Sequence, residues 1–161
     1  MTGPGCNVLV FLRDARGHVV PSSIRRGHNV FTRYGRTWMR DLVVWDTIAG
    51  SDVPLENKRL RDIVYGGGSQ PATKDVLWVN SFIASYELAA QGDTTFPSSA
   101  LCRIHHSIPV GDWNGTVFSE VGLRQWEGVT PATSMLCFYK TFEPILKTSG
   151  FSLETYWELK F

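Results

Sequence analysis

The chain has 161 residues, with 16 Lys and Arg against 15 Asp and Glu, a formal charge of +1, and 43% hydrophobic and 12% aromatic residues. A chain of this length buries about two thirds of its accessible surface on folding, enough for one self-sufficient core, which excludes intrinsic disorder. The clustered cations amount to Arg25-Arg26 and Lys58-Arg59-Leu60-Arg61, so no field draws a polyanion and nucleic acid is not an expected partner.

Cys6, Cys102 and Cys137 are widely spaced and form no C-x-x-C pair, which argues against a disulfide framework. The first residues, MTGPGCNVLVFLRD, carry no basic stretch. Their apolar run from Val8 to Leu12 falls far short of the roughly 20 residues of a membrane helix. Folding in a cytosol, with no membrane partner, is expected.

In chain order, the apolar run Asn7 to Arg13, the turn residues around Gly17 and His18-Val19-Val20 predict a hairpin. Val30, Tyr34, Trp38, Leu42 and Trp45 then recur at helical spacing, predicting a helix over about 30–49, capped near Asn29 or Thr32 and closed by Gly50. Arg59 to Tyr65 reads as a short strand running into Gly66-Gly67-Gly68. Val76 to Leu88 fits a helix or irregular packing equally, and AAQGDTTFPSS reads as a loop.

The last third reads as sheet. Ala100 to Val110 and Thr116 to Arg124 flank an Asn114-Gly115 turn and are expected to pair with each other. Ser134 to Phe142 is a further strand ended by Pro144. From Phe151 to Phe161 the pattern alternates: Phe151, Leu153, Thr155, Trp157, Leu159 and Phe161 on one face, Ser152, Glu154, Tyr156, Glu158 and Lys160 on the other. The expected fold is mainly β: an antiparallel sandwich or barrel-like sheet with one packed helix, a single domain over 1–161.

Catalytic and metal motifs are absent. The triple glycine lacks G-x-x-x-x-G-K-[ST] and G-x-G-x-x-G, so it reads as a structural or subunit-contact loop formed by Gly66, Gly67 and Gly68. Adjacent His105 and His106 point to opposite faces of a strand and cannot share one metal with Cys102; strand-surface histidines are expected. No G-x-S-x-G elbow is present, and each cysteine reads as a small core residue. Glu120 lies in an otherwise apolar strand, Val117 to Leu123, and burial there demands a partner. An ion pair with Arg36, or with Arg40 or Arg61, is the expected solution.

The ordered fragments GHNVFTRYGRTWMRDLVVW, RLRDIVYGGGSQPAT, TVFSEVGLR and FEPILKTSGFSLETYWELKF resemble those of small bacteriophage virion proteins. The matching residues are Asn29, Gly35, Arg36 and Leu42; Gly66 and Gly68; Ser119, Glu120, Gly122 and Leu123; and Lys147, Thr148, Ser152, Leu153, Trp157 and Phe161. The resemblance spans about residues 27 to 161. It implies a non-enzymatic tail, collar, baseplate or fibre-attachment protein that needs no cofactor or metal, folds in the host cytoplasm and assembles with other virion proteins as a homo-oligomer.

Residues 1–26 lie outside the resemblance and are read as a hairpin or attachment arm whose deletion leaves a folded protein. Other readings are a capsid decoration protein, a carbohydrate-binding module contacting a host glycan through Trp113, Trp126 and Phe96, and a small hydrolase using Glu120 or Asp112.

Overall fold

A computed structural model of the chain describes residues 6–36, 39, 60–88, 94–125 and 136–160. The strands are β1 (Cys6–Asp14), β2 (Arg25–His28), β3 (Val30–Phe31), β4 (Leu60–Gly66), β5 (Phe82–Glu87), β6 (Thr94–Ser98), β7 (Leu101–Ile108), β8 (Thr116–Gln125), β9 (Leu136–Lys147) and β10 (Phe151–Lys160). They form two five-stranded antiparallel sheets. Sheet A has the order β2-β1-β10-β7-β6 and sheet B the order β3-β9-β8-β4-β5. The arrangement is a sandwich, not a closed barrel.

Alternation along β1, β7 and β10 of sheet A supplies one side of the core. Val8, Val10 and Leu12 of β1, Ile104 and Ile108 of β7, and Leu153, Trp157 and Leu159 of β10 are buried against Ile63, Tyr65, Phe118, Val121, Leu123, Phe138 and Ile145 of sheet B. At the centre the Tyr65 hydroxyl donates to Thr155 Oγ1 at 3.0 Å and lies 3.0 Å from His106 Nδ1, tying sheet B to sheet A through a polar group that an apolar core cannot leave unpaired. Burial pushes the Tyr65 phenol well above its ordinary range, so it stays a protonated donor.

Several expectations change. The first hairpin is present, with Gly17 at φ +86° and a bridge between Arg13 and Val19, and its first strand is built into sheet A. β1 lies between β2 and β10 and pairs with β10 from Cys6 to Asp14. Val30 and Phe31, assigned to the helix by their spacing, form β3 against Tyr139 and Phe138. The helix starts at residue 33: Thr32 caps it, accepting the Gly35 N–H at 3.0 Å while its hydroxyl donates to the Leu136 carbonyl at 2.5 Å. The remaining helical stripe, with Trp38, Leu42 and Trp45, lies outside the described residues, as do Trp126 and Phe161.

β7 and β8 do not pair. They belong to different sheets, and residues 109–115 cross from one to the other, because the intervening segment is long enough to span the separation of about 10 Å between packed sheets. Thr94–Ser98, read as loop, is edge strand β6; its Pro97 is tolerated because an edge strand need donate on one side only. β9 runs through Pro144, which falls in the irregularity where Phe118 pairs with Ile145 and Glu120 with Thr141.

Two consequences can be measured. Removing residues 1–26 takes out an interior strand, so the truncated chain is expected to lose its cooperative thermal transition by circular dichroism; a melt like that of the full chain would show that sheet A closes without β1. Tyr65→Phe strips Thr155 and His106 of a shared partner and is expected to cost about 1–3 kcal/mol in denaturant unfolding; an unchanged midpoint would mean the inter-sheet hydrogen bonds contribute nothing.

Candidate functional site

β8 shows where the chain departs from a plain sandwich: from Phe118 onward it is buried on both faces. Its second face is covered by residues 67–81, which leave β4 through the three glycines, cross the outer side of sheet B and return as β5. Val76 and Val79 of this strap pack with Val64, Leu136 and Tyr139, joined by Ala72 and Trp78.

Glu120 holds both ends of the strap. Its Oε2 accepts the backbone N–H groups of Gly68 at 3.1 Å, Asn80 at 3.0 Å and Ser81 at 3.4 Å, and its Oε1 accepts the Tyr139 hydroxyl at 2.5 Å. Ser119 donates to the Gly68 carbonyl. Side chains at these glycines would collide with the anchor: a Cβ on Gly68 would lie 2.6 Å from Asn80 Cβ and 2.8 Å from Glu120 Oε2, and one on Gly66 would strike the same carboxylate.

The expected pair between Glu120 and Arg36 is not made. Glu120 is wholly buried, Arg36 is exposed, Arg61 pairs with Glu87 at 3.0 Å, and Arg40 lies outside the described residues. Backbone amides and a phenol replace the cation, because charge-assisted hydrogen bonds to a carboxylate satisfy it without desolvating a second ion. Burial first, and then the bond to Glu120, push the Tyr139 phenol up, keeping its proton as the donor. The strap has further anchors. Arg124 pairs with Asp62 and lies over the Trp78 ring at 5.2 Å, Gln70 donates to the Trp78 carbonyl at 2.7 Å, and Arg33 N–H donates to the Lys74 carbonyl at 2.6 Å.

The recognition candidates separate in space. Trp113, 44% exposed, sits in the crossing between the sheets at φ +53°, a left-handed conformation costly for a bulky residue, and its indole N–H donates to the Tyr86 hydroxyl at 2.7 Å. Lys147, wholly buried, braces this loop: its ammonium donates to the Asp112 carbonyl at 2.6 Å, Asn114 Oδ1 at 3.2 Å and the Val110 carbonyl at 3.4 Å. Burial pulls the Lys147 pKa down, against the nearby Asp112 carboxylate. Phe96, 74% exposed, stands on edge strand β6 of the other sheet, and no ring contact joins it to Trp113.

His105 and His106 do face opposite ways, but only His105 is on the surface; His106 is buried beside Tyr65 and Tyr86. Cys6, Cys102 and Cys137 are buried thiols that form no disulfide, and burial pushes the Cys6 thiol up. Among the described residues no three His, Cys, Asp or Glu side chains gather to hold a metal.

Sequence reasoning missed a cluster on the outer face of sheet A, because the alternation of the last strand places Glu154 on that face without showing what lies beside it. Glu154 is buried, with His105 Nε2 at 2.7 Å from Oε2 and the hydroxyls of Ser107 and Ser152 donating to Oε1 at 2.9 and 2.6 Å. The Tyr156 ring stacks between His105 at 4.2 Å and Phe11 at 5.8 Å. Serine, histidine and carboxylate are all present, yet both hydroxyls donate to the carboxylate and not to the imidazole, so no base activates either oxygen as a nucleophile. The alternation of β10 located Glu154 on the outer face; only the register with β7 put Ser107 and His105 beside it.

No protein-family model, curated protein or solved structure matches this chain.

Glu120→Gln keeps the size of the anchor and removes its charge, so a loss of about 1–3 kcal/mol in unfolding free energy is expected; unchanged stability would show that the strap does not depend on the carboxylate. For Glu154, burial would raise the pKa, but hydrogen bonds from His105, Ser152 and Ser107 outweigh it and bring it from 4.5 to about 2. A depressed folded-state pKa stabilises the protein above the ordinary carboxylate range and is lost as pH falls from about 4.5 through about 2. Thermal melts across that window should drop less for Glu154→Gln than for the parent; parallel curves would remove Glu154 from the acid response.

Proposed function

We propose that the chain is a non-enzymatic structural component of a bacteriophage particle, of the tail, collar, baseplate or fibre-attachment kind, assembling through protein contacts. The observation that carries this reading is where the resembling residues fall. Gly66, Gly68, Ser119 and Glu120 meet at the foot of the strap, and a Cβ on Gly122 would press 2.6 Å from Leu136 Cδ2. Lys147 braces the crossing loop, while Leu153 and Trp157 are in the inter-sheet core. These described residues of the resembling pattern thus serve the fold, as suits a subunit selected for form.

Exposed apolar side chains support assembly at the triple-glycine corner. Phe82 pairs with Gly66 and is 54% exposed, and Val117, whose carbonyl faces Gly67, is 44% exposed opposite Leu146 at 53%. A strained, lysine-braced Trp113 favours a second reading, in which the same end of the sandwich recognises a host glycan.

Mass spectrometry of particles purified from the phage that encodes the chain is expected to find it in stoichiometric amount, and light scattering of the purified chain to give a multiple of 18.1 kDa. Absence from mature particles would overturn the assignment.

A further inference from the structure

Among the described residues nothing covers the outer face of sheet A as the strap covers sheet B, and its strand register builds a groove there. One row across the sheet runs His28, Asn7, Glu158, Arg103; the next runs Arg26, Leu9, Tyr156, His105. Between them lies a cavity of about 620 Å³, within the range of about 300–1,000 Å³ typical of small-ligand sites.

Its chemistry is specific. Arg103 is already committed to Glu158 at 2.9 Å, and the two neutralise each other. Arg26 stands exposed on β2 with no carboxylate partner among the described residues, next to the exposed imidazole of His28. The groove therefore carries one uncompensated guanidinium, an amide from Asn7, a carboxylate from Glu158 that accepts hydrogen bonds, and an apolar floor from Leu9 and Tyr156. Tyr156 is fixed by its stacking on Phe11 and His105, and His105 by Glu154, so the floor is set before any ligand arrives.

We propose that this groove binds an acidic oligosaccharide, a chain of pyranose rings bearing carboxylates. The sugar carboxylate is taken by the Arg26 fork. Hydroxyls are read by Asn7 and Glu158, and the apolar ring faces lie on Leu9 and along the edge of the Tyr156 ring, whose two faces are taken by Phe11 and His105. A phosphate would use Arg26 alone and leave the amide, the acceptor and the apolar floor unused; a neutral glycan would leave the guanidinium unpaired. The site is distinct from the triple-glycine corner and from Trp113, and does not depend on the chain's place in a particle.

The test is calorimetric titration of the whole chain with a trigalacturonate, a neutral hexose trisaccharide of the same length, and inorganic phosphate. Saturable binding of trigalacturonate is expected, at least tenfold tighter than either control and weakening as salt rises. Arg26→Gln, on an exposed position of an edge strand, is expected to lower that affinity at least tenfold with an unchanged melting temperature, while Arg16→Gln, outside the groove, leaves it intact. Absence of binding, equal binding of the neutral trisaccharide, phosphate binding as tight as that of the trigalacturonate, or indifference to Arg26→Gln would each overturn the proposal. So would light scattering that shows a dimer broken by Arg26→Gln, because the groove would then be an interface between copies.

Discussion

One buried carboxylate organises the second layer of this protein. Glu120 accepts three backbone N–H groups and a phenolic proton, and three of those four donors belong to the strap that crosses the outer side of sheet B. A carboxylate stripped of water is tolerable only when its lone pairs are filled, so the strap and the acid require each other. The glycines follow from the same requirement, since a side chain at Gly66 or Gly68 would occupy the space of the carboxylate it must face. So does the character of β8, which is buried on both sides and shows no alternation.

This asymmetry gives the two outer faces different roles. Sheet B has its outer side closed by the strap, with a second apolar cluster and the Arg124–Asp62 pair beneath Trp78. Among the described residues the outer side of sheet A carries no such strap, and the cross-strand rows of β2, β1, β10 and β7 bring charged, aromatic and amide groups together there. The core between the sheets binds them through apolar contact and through Tyr65, whose hydroxyl reaches across to Thr155. Structural demands are thus met on one side and in the middle.

What could be read in advance depended on whether one face of an element meets water. The inward face of β10 was legible, because Leu153, Trp157 and Leu159 point inward and Tyr156 and Glu158 outward with a period of two. Helical spacing misled at Val30 and Phe31, since two residues of a strand followed by a capped helix reproduce the same apolar positions. Thr94–Ser98 carried turn-forming residues and still became β6, because pairing with β7 outweighs local preference at an edge. The burial of Glu120 was foreseeable from its apolar neighbours. Its partners were not, because backbone amides donate whatever the residue and leave no mark in the sequence.

By itself the sequence determined a near-neutral, cysteine-poor β-rich chain with the hairpin at Gly17, the strand into the triple glycine, an inward-facing last strand and a carboxylate in need of partners. Tertiary structure alone decided that β7 and β8 part into different sheets, that β1 is interior, that Gly68, Asn80 and Ser81 converge on Glu120, and that Arg26 and Tyr156 share a groove. The division has one physical cause. Period and turn chemistry act between residues near in sequence, whereas strand order, register and the filling of a buried carboxylate are fixed by contacts between segments far apart in it.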